Sequence, residues 1–167
     1  MNKGPVWYIV TFVTIVLIQL LLMNNIQFSG YINPYFYILF IILLPISIPT
    51  YLLLIAGFFL GITIDIFSNT PGIHASATVF MSFIRPYVIN SYNLEDQEKI
   101  KIPSIMNLGI KWFVKYLLIM VLVHHIFLFF IEVFSFSGFL HTLLRCILSS
   151  IFTFVFILIS QFIVFRK

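Results

Sequence analysis

Apolar residues run along this chain in blocks of about twenty, broken by short polar punctuation, with no sustained two-residue alternation of the kind that marks strands. A bilayer core of about 30 Å takes about 20 apolar residues per helix. On that rule the chain divides into six candidate spans, at 5–23, 31–48, 50–67, 73–89, 112–134 and 139–164, with one sizeable loop at 90–111. The pattern predicts a single polytopic, all-α membrane domain over residues 1–167. The second and third spans are parted only by Pro45-Ile46-Ser47-Ile48-Pro49, where two prolines remove backbone donors and disfavour helix before them. A tight helical hairpin is the expected reading, with a single kinked or re-entrant helix as the alternative, because Asn33-Pro34 interrupts the start of the second span. The first block follows Lys3 and resembles a secretory leader, but its apolar stretch at 6–23 is long for one, and Asn24-Asn25 stands where small residues would permit cleavage. It is read as the first span.

Composition makes lipid the main solvent. Hydrophobic residues are 62% of the chain and charged residues 8%, against about 25% charged in an ordinary soluble domain, and the mean hydropathy is +1.14. A water-soluble fold would expose much of the 19% aromatic content in patches that monomers avoid. The net charge of +4 comes from nine Lys and Arg, spread too thinly for the basic stripe that tracks phosphates, so no nucleic-acid partner is expected. The excess instead reports topology, since Lys and Arg in short loops favour the cytoplasmic side. With six spans and both termini inside, Lys3, Arg85, Lys99, Lys101, Lys111, Lys115, Arg166 and Lys167 lie at or near the cytoplasmic face, and Arg145 alone falls in the outer half. Cys146 is the single cysteine, which excludes a disulfide or a CxxC site within one chain.

Against this apolar background the polar residues become informative. Gly57, Gly61 and Asp65 are each four apart and share one face of the third span. Glycines at that spacing let another helix approach closely, and an intramembrane carboxylate is a functional-site candidate, usually paired. Residues 68–72 read as a tight outer turn with Pro71-Gly72, after which His74 opens the fourth span. That span is expected to stop at Arg85-Pro86, with Arg85 reaching the inner headgroups as an anchor or meeting a partner. His125 and Glu132 share a face of the fifth span, and His141 and Arg145 a face of the sixth. Together these place Asp65, His74, Glu132, His141 and Arg145 in an outer polar cluster, with Arg145 paired to Glu132 or Asp65. The loop at 90–111, with Glu95, Asp96, Glu98, Lys99 and Lys101, reads equally as a solvated connector or an interfacial, partner-binding helix. The adjacent pair His124-His125 lacks the four-residue spacing of helical zinc ligands, and no nucleophile elbow, membrane-protease pattern or phosphate-cradling glycine loop is present. No catalytic residue, metal or cofactor is expected.

The stretch GFFLGITIDIFSNTPGIHASA at 57–77, with Asn33-Pro34 before it and Phe83-Ile84-Arg85-Pro86 after it, resembles the rod-shape-determining MreD family. The likeness covers the whole chain in length and span layout and is specific over residues 57–86, at Gly57, Gly61, Asp65, Gly72, Arg85 and Pro86. The resemblance implies a non-enzymatic, multi-pass component of the bacterial inner membrane. Its fold would be a six-helix one similar to the substrate-binding subunits of energy-coupling-factor vitamin transporters. It implies an MreC-like protein as partner and, through it, MreB, RodA and a penicillin-binding transpeptidase, in a surrounding of membrane lipid. The alternative from the same fold is the substrate-binding subunit of a small-molecule transporter, against which stands an apparent lack of interior side chains for a polar ligand. For the topology, alkaline-phosphatase fusions after Asn69 and Ser137 are expected to be active and one after Lys101 silent; the reverse pattern would overturn the six-span orientation.

Overall fold

A computed structural model describes residues 4–26, 32–92, 102–134 and 138–164. Lys3, Glu95, Asp96, Glu98, Lys99, Lys101, Arg166 and Lys167 lie outside the described residues. The elements are α1 (Pro5–Leu21) with a 3-10 turn at Met23–Asn25, a broken segment with a 3-10 turn at Phe36–Ile38 and α2 (Leu39–Ile42), then α3 (Thr50–Ser68), α4 (Ile73–Asn90), α5 (Ile105–Leu108), α6 (Ile110–Val133) and α7 (Phe139–Val164). Four helices are long and apolar enough to cross a membrane: Pro5–Asn25, Thr50–Ser68, Ile110–Val133 and Phe139–Ile163. Their outward sides expose Val6, Val10 and Leu17 of α1, Phe58, Phe59 and Ile66 of α3, and Leu144, Ile151 and Val155 of α7. An apolar girdle of that extent is stable only against hydrocarbon, and the chain is an all-α membrane protein.

The expected second helical span, 31–48, is not formed as a helix. Only residues 36–42 are helical there, too few to cross at about 1.5 Å per residue. Asn33-Pro34 clips the segment at one end and Pro45 with Pro49 at the other, since proline lacks the N–H and restricts the residue before it. The segment is buried without a break from residue 34 to residue 42. The chain here is a broken strand of backbone threaded through the bundle, closer to the re-entrant alternative than to a hairpin of two full helices. Irregular backbone at membrane depth is tolerated only when protein encloses it.

The expected fourth span also differs at its end. α4 continues through Pro86 to Asn90, with Pro86 inside the helix. It is the interior helix of the bundle, with His74, Thr78, Ser82 and Arg85 buried, and it packs against both α3 and α6. Polar side chains facing inward explain why its composition is less apolar than that of its neighbours.

The glycine face of α3 is where α4 lies. A Cβ on Gly61 would fall 2.6 Å from the Ala75 amide nitrogen and closer still to Ala75 Cα, so backbone meets backbone and only glycine fits. A Cβ on Gly57 would fall 3.1 Å from the Thr78 carbonyl and closer to the Ser82 hydroxyl. The Thr78 hydroxyl donates to the Gly57 carbonyl at 2.8 Å and locks the two helices in register. The small-residue face is thus consumed within the chain and is not open to a partner helix.

The two glycines differ in what crowds them, and their variants are expected to differ accordingly. Gly61→Ala lowers the melting temperature of the purified protein in detergent by more than Gly57→Ala, and pairing Gly57→Ala with Ser82→Ala recovers part of the loss. Equal effects at the two positions, with no recovery, would contradict the packing described.

Candidate functional site

Asp65 lies in the last turn of α3 and is 2% exposed, yet no Lys or Arg among the described residues forms an ion pair with it. Its carboxylate accepts from the Thr70 hydroxyl (2.9 Å) and from the amides of Gly72 (3.1 Å), His74 (2.9 Å) and Ala75 (2.9 Å). The amides of His74 and Ala75 belong to the first turn of α4, where helical N–H groups have no intrahelical partner and an anion is favoured. Gly72 lies at φ 83° and Asn69 at φ 55°, the left-handed conformations that let the chain reverse within four residues. Asp65 is therefore the cap of the next helix. Of the two partners expected for Arg145, Glu132 is the one it bonds, at 3.3 Å, and Asp65 is held by the turn instead.

Inside the turn, His74 projects into a buried set of rings. The Tyr37 hydroxyl lies 2.9 Å from His74 Nδ1 and 2.8 Å from His124 Nε2, joining the broken segment to α4 and α6. A hydroxyl has one proton, so one of those two ring nitrogens must donate to the oxygen while the other accepts. His125, next along α6, donates from Nδ1 to the Val121 carbonyl (2.9 Å), so in the neutral ring Nε2 accepts from the Thr153 hydroxyl (3.0 Å). The Thr153 oxygen in turn accepts from the Tyr35 amide at 2.9 Å. Gln19 of α1 completes the set: its carbonyl accepts from the Tyr37 amide (3.1 Å), and its amide donates to the Pro34 carbonyl (3.1 Å) and to Asn24 (2.8 Å). The Ser149 hydroxyl accepts from the Asn33 amide at 3.0 Å.

The expected outer cluster is divided by the structure. Glu132 and Arg145 form a partly exposed pair at the rim, with the guanidinium 5.0 Å over the Phe129 ring. His125 turns away from Glu132 towards α7, and His141 is exposed near the start of α7. His74 and Glu132 do come together, as two walls of a cavity of about 260 Å³ that also takes in Asn24, Asn33, Tyr35, Ser68 and Thr70. The interior is therefore better supplied with polar side chains than its apolar sequence implies. No group of three His, Cys, Asp or Glu placed to hold a metal occurs among the described residues.

Arg85 is buried, at 1% exposure, and does not reach headgroups as an anchor would. Its Nε donates to the Tyr116 hydroxyl (2.9 Å), Nη1 to the Pro45 carbonyl (3.4 Å) and Nη2 to the carbonyls of Leu44 and Ile42. Tyr116 donates to the Ile42 carbonyl at 3.1 Å. The cation thus gathers carbonyls at and just beyond the C-terminal end of the short α2, where positive charge is favoured. Pro86 follows as part of the same α4 turn.

Gln19, Tyr37, Ser149, Thr153 and Tyr116 carry these bonds, and sequence reasoning passed over them. The available signal was a lone amide at Gln19 and hydroxyls four apart at Ser149 and Thr153 in otherwise apolar helices. No known protein family, curated protein or solved structure matches this chain.

Asp65→Asn keeps the shape but removes one acceptor oxygen, leaving amides of the turn unpaired at about 1–3 kcal/mol each. Its melting temperature in detergent is expected to fall by several degrees, whereas Glu132→Gln, at an exposed pair worth about 0–1 kcal/mol, stays close to the parent. An Asp65→Asn protein that melts like the parent would remove Asp65 from its capping role.

Proposed function

We propose that this chain is a non-enzymatic inner-membrane component of the bacterial cell-elongation machinery, of the MreD type. In this reading it crosses the cytoplasmic membrane six times with both termini inside, and it docks an MreC-like protein and, through it, MreB, RodA and a penicillin-binding transpeptidase. The observation that carries the reading is that the residues of the resemblance, 57–86, form one packed unit. Gly57 and Gly61 admit α4, Asp65 and Gly72 build the turn, and Arg85 closes the far end of the broken segment. Every member of the set serves helix placement and none is arranged for bond chemistry, as suits a protein that works by binding. The bonded ends of the segment at 33–45, near the α3–α4 turn on one side and at Arg85 on the other, support a sixth crossing made by irregular backbone. Because the glycine face is filled by α4, the docking surface in this reading lies on the lipid-facing sides of the bundle.

The cavity beside His74 and Glu132 favours a second reading, a transporter subunit that holds a small polar molecule. Co-expression with an MreC-like protein followed by purification separates the two. A stoichiometric complex that survives detergent is the expected result; a small molecule retained through purification, with no such complex, would favour the transporter reading and overturn the first.

A further inference from the structure

At the opposite end of the bundle from the α3–α4 turn, a second cavity of about 200 Å³ opens between the turn preceding α3 and the last turns of α4. Ser47, Thr50 and Asn90 line it and are exposed, so they form its mouth, and Arg85 lines it from within. Arg85 is the single charged residue of that lining. We propose that this cavity is a phosphate site, in which Arg85 takes the phosphate of a lipid headgroup or a free phosphate ion.

Charge balance carries the inference. A buried ion is costly unless an opposite charge and hydrogen bonds compensate it. Every bond Arg85 makes goes to a neutral acceptor, three carbonyls and a phenol, and no carboxylate among the described residues lies in ion-pair range of it. Of the two hydrogens on Nη1, one serves the long bond to Pro45 at 3.4 Å and the other has no acceptor among the described residues. Guanidinium groups suit phosphate oxygens in geometry as well as charge.

The rest of the wall agrees. Ser47 and Thr50 offer hydroxyl donors, Asn90 an amide, and no acidic side chain is among the described residues that line it. Thr50 opens α3, whose N-terminus follows Pro49 without any side-chain cap, so the positive end of a 19-residue helix lies at the cavity. Lys111 and Lys115 are exposed on the first turns of α6 at this end and add to the positive potential there. Arg85 lies five residues before the end of α4, and the exposed mouth of the cavity gives a phosphate access to it. The site is independent of the proposed MreC-like partner, and its test does not depend on whether that complex forms.

The test uses the full chain, purified in detergent and stripped of lipid, with dioleoyl phosphatidylglycerol, dioleoylglycerol and inorganic phosphate as probes. Bound adducts are read by native mass spectrometry and stability by melting temperature. One phosphatidylglycerol is expected to be retained and to raise the melting temperature, while dioleoylglycerol, with the same chains and no phosphate, does neither. Inorganic phosphate that produces the stabilisation alone identifies the free ion as occupant and still supports the site. The double variant Ser47→Phe, Thr50→Leu fills the mouth without touching the bonds of Arg85, and is expected to lower retention by about tenfold, the loss of one bond to a charged group. Arg85→Lys keeps the charge but loses the fork and is expected to weaken retention further. Equal retention of dioleoylglycerol and phosphatidylglycerol, or undiminished retention by a filled variant that melts like the parent, would overturn the proposal.

Discussion

The structure depends on one requirement: a backbone N–H or C=O inside hydrocarbon must find a partner in the protein, because no water is there to supply one. Long helices meet it internally. The segment between α1 and α3 cannot, since its prolines stop it from forming more than two short helical turns, and it lies in the middle of the bundle. Several of the buried polar side chains described above answer that need. Gln19 serves the Pro34 carbonyl and the Tyr37 amide, Ser149 the Asn33 amide, Thr153 the Tyr35 amide, and Arg85 the carbonyls at the far end.

Two of the buried charges are the mirror of each other. Asp65 stands at the start of a helix and collects amides; Arg85 stands beside the end of one and collects carbonyls. Neither pairs with an opposite charge among the described residues, and the dipoles of the chain itself offset part of the cost of burying each. The difference lies in completeness. Asp65 has four donors within 3.1 Å and is saturated, whereas Arg85 keeps an N–H with no acceptor among the described residues, beside open space. The first is fully explained by the fold, and the second is the place where the fold leaves something over.

Much of the architecture was legible from hydrophobic blocks alone. Four helices long and apolar enough to cross a membrane, α1, α3, α6 and α7, fall where long apolar runs were expected, because the hydrogen bonds of such a run suffice within it. The helix α4 covers the expected fourth stretch but is not among those four. The glycine spacing correctly announced a close helix contact, although the partner proved to be the next helix of the same chain. What the pattern could not convey was the state of residues 31–48, where apolar content suits a helix and the prolines forbid one. A hydropathy pattern measures solvent preference, and a broken segment wrapped in protein has the same preference as a helix facing lipid. The site residues were hidden for a related reason: a serine or glutamine in a membrane helix reads as noise until the backbone it bonds is known.

The long reach of those bonds has a consequence for how the protein is made. The amides of Asn33 and Tyr35 find their acceptors on Ser149 and Thr153, 116 and 118 residues later in the chain. Those two amides therefore lack these acceptors until α7 has entered the membrane, while Gln19 of α1 already serves the neighbouring Pro34 carbonyl and Tyr37 amide. In this protein α7 acts as a clasp on a segment that α1 has begun to hold.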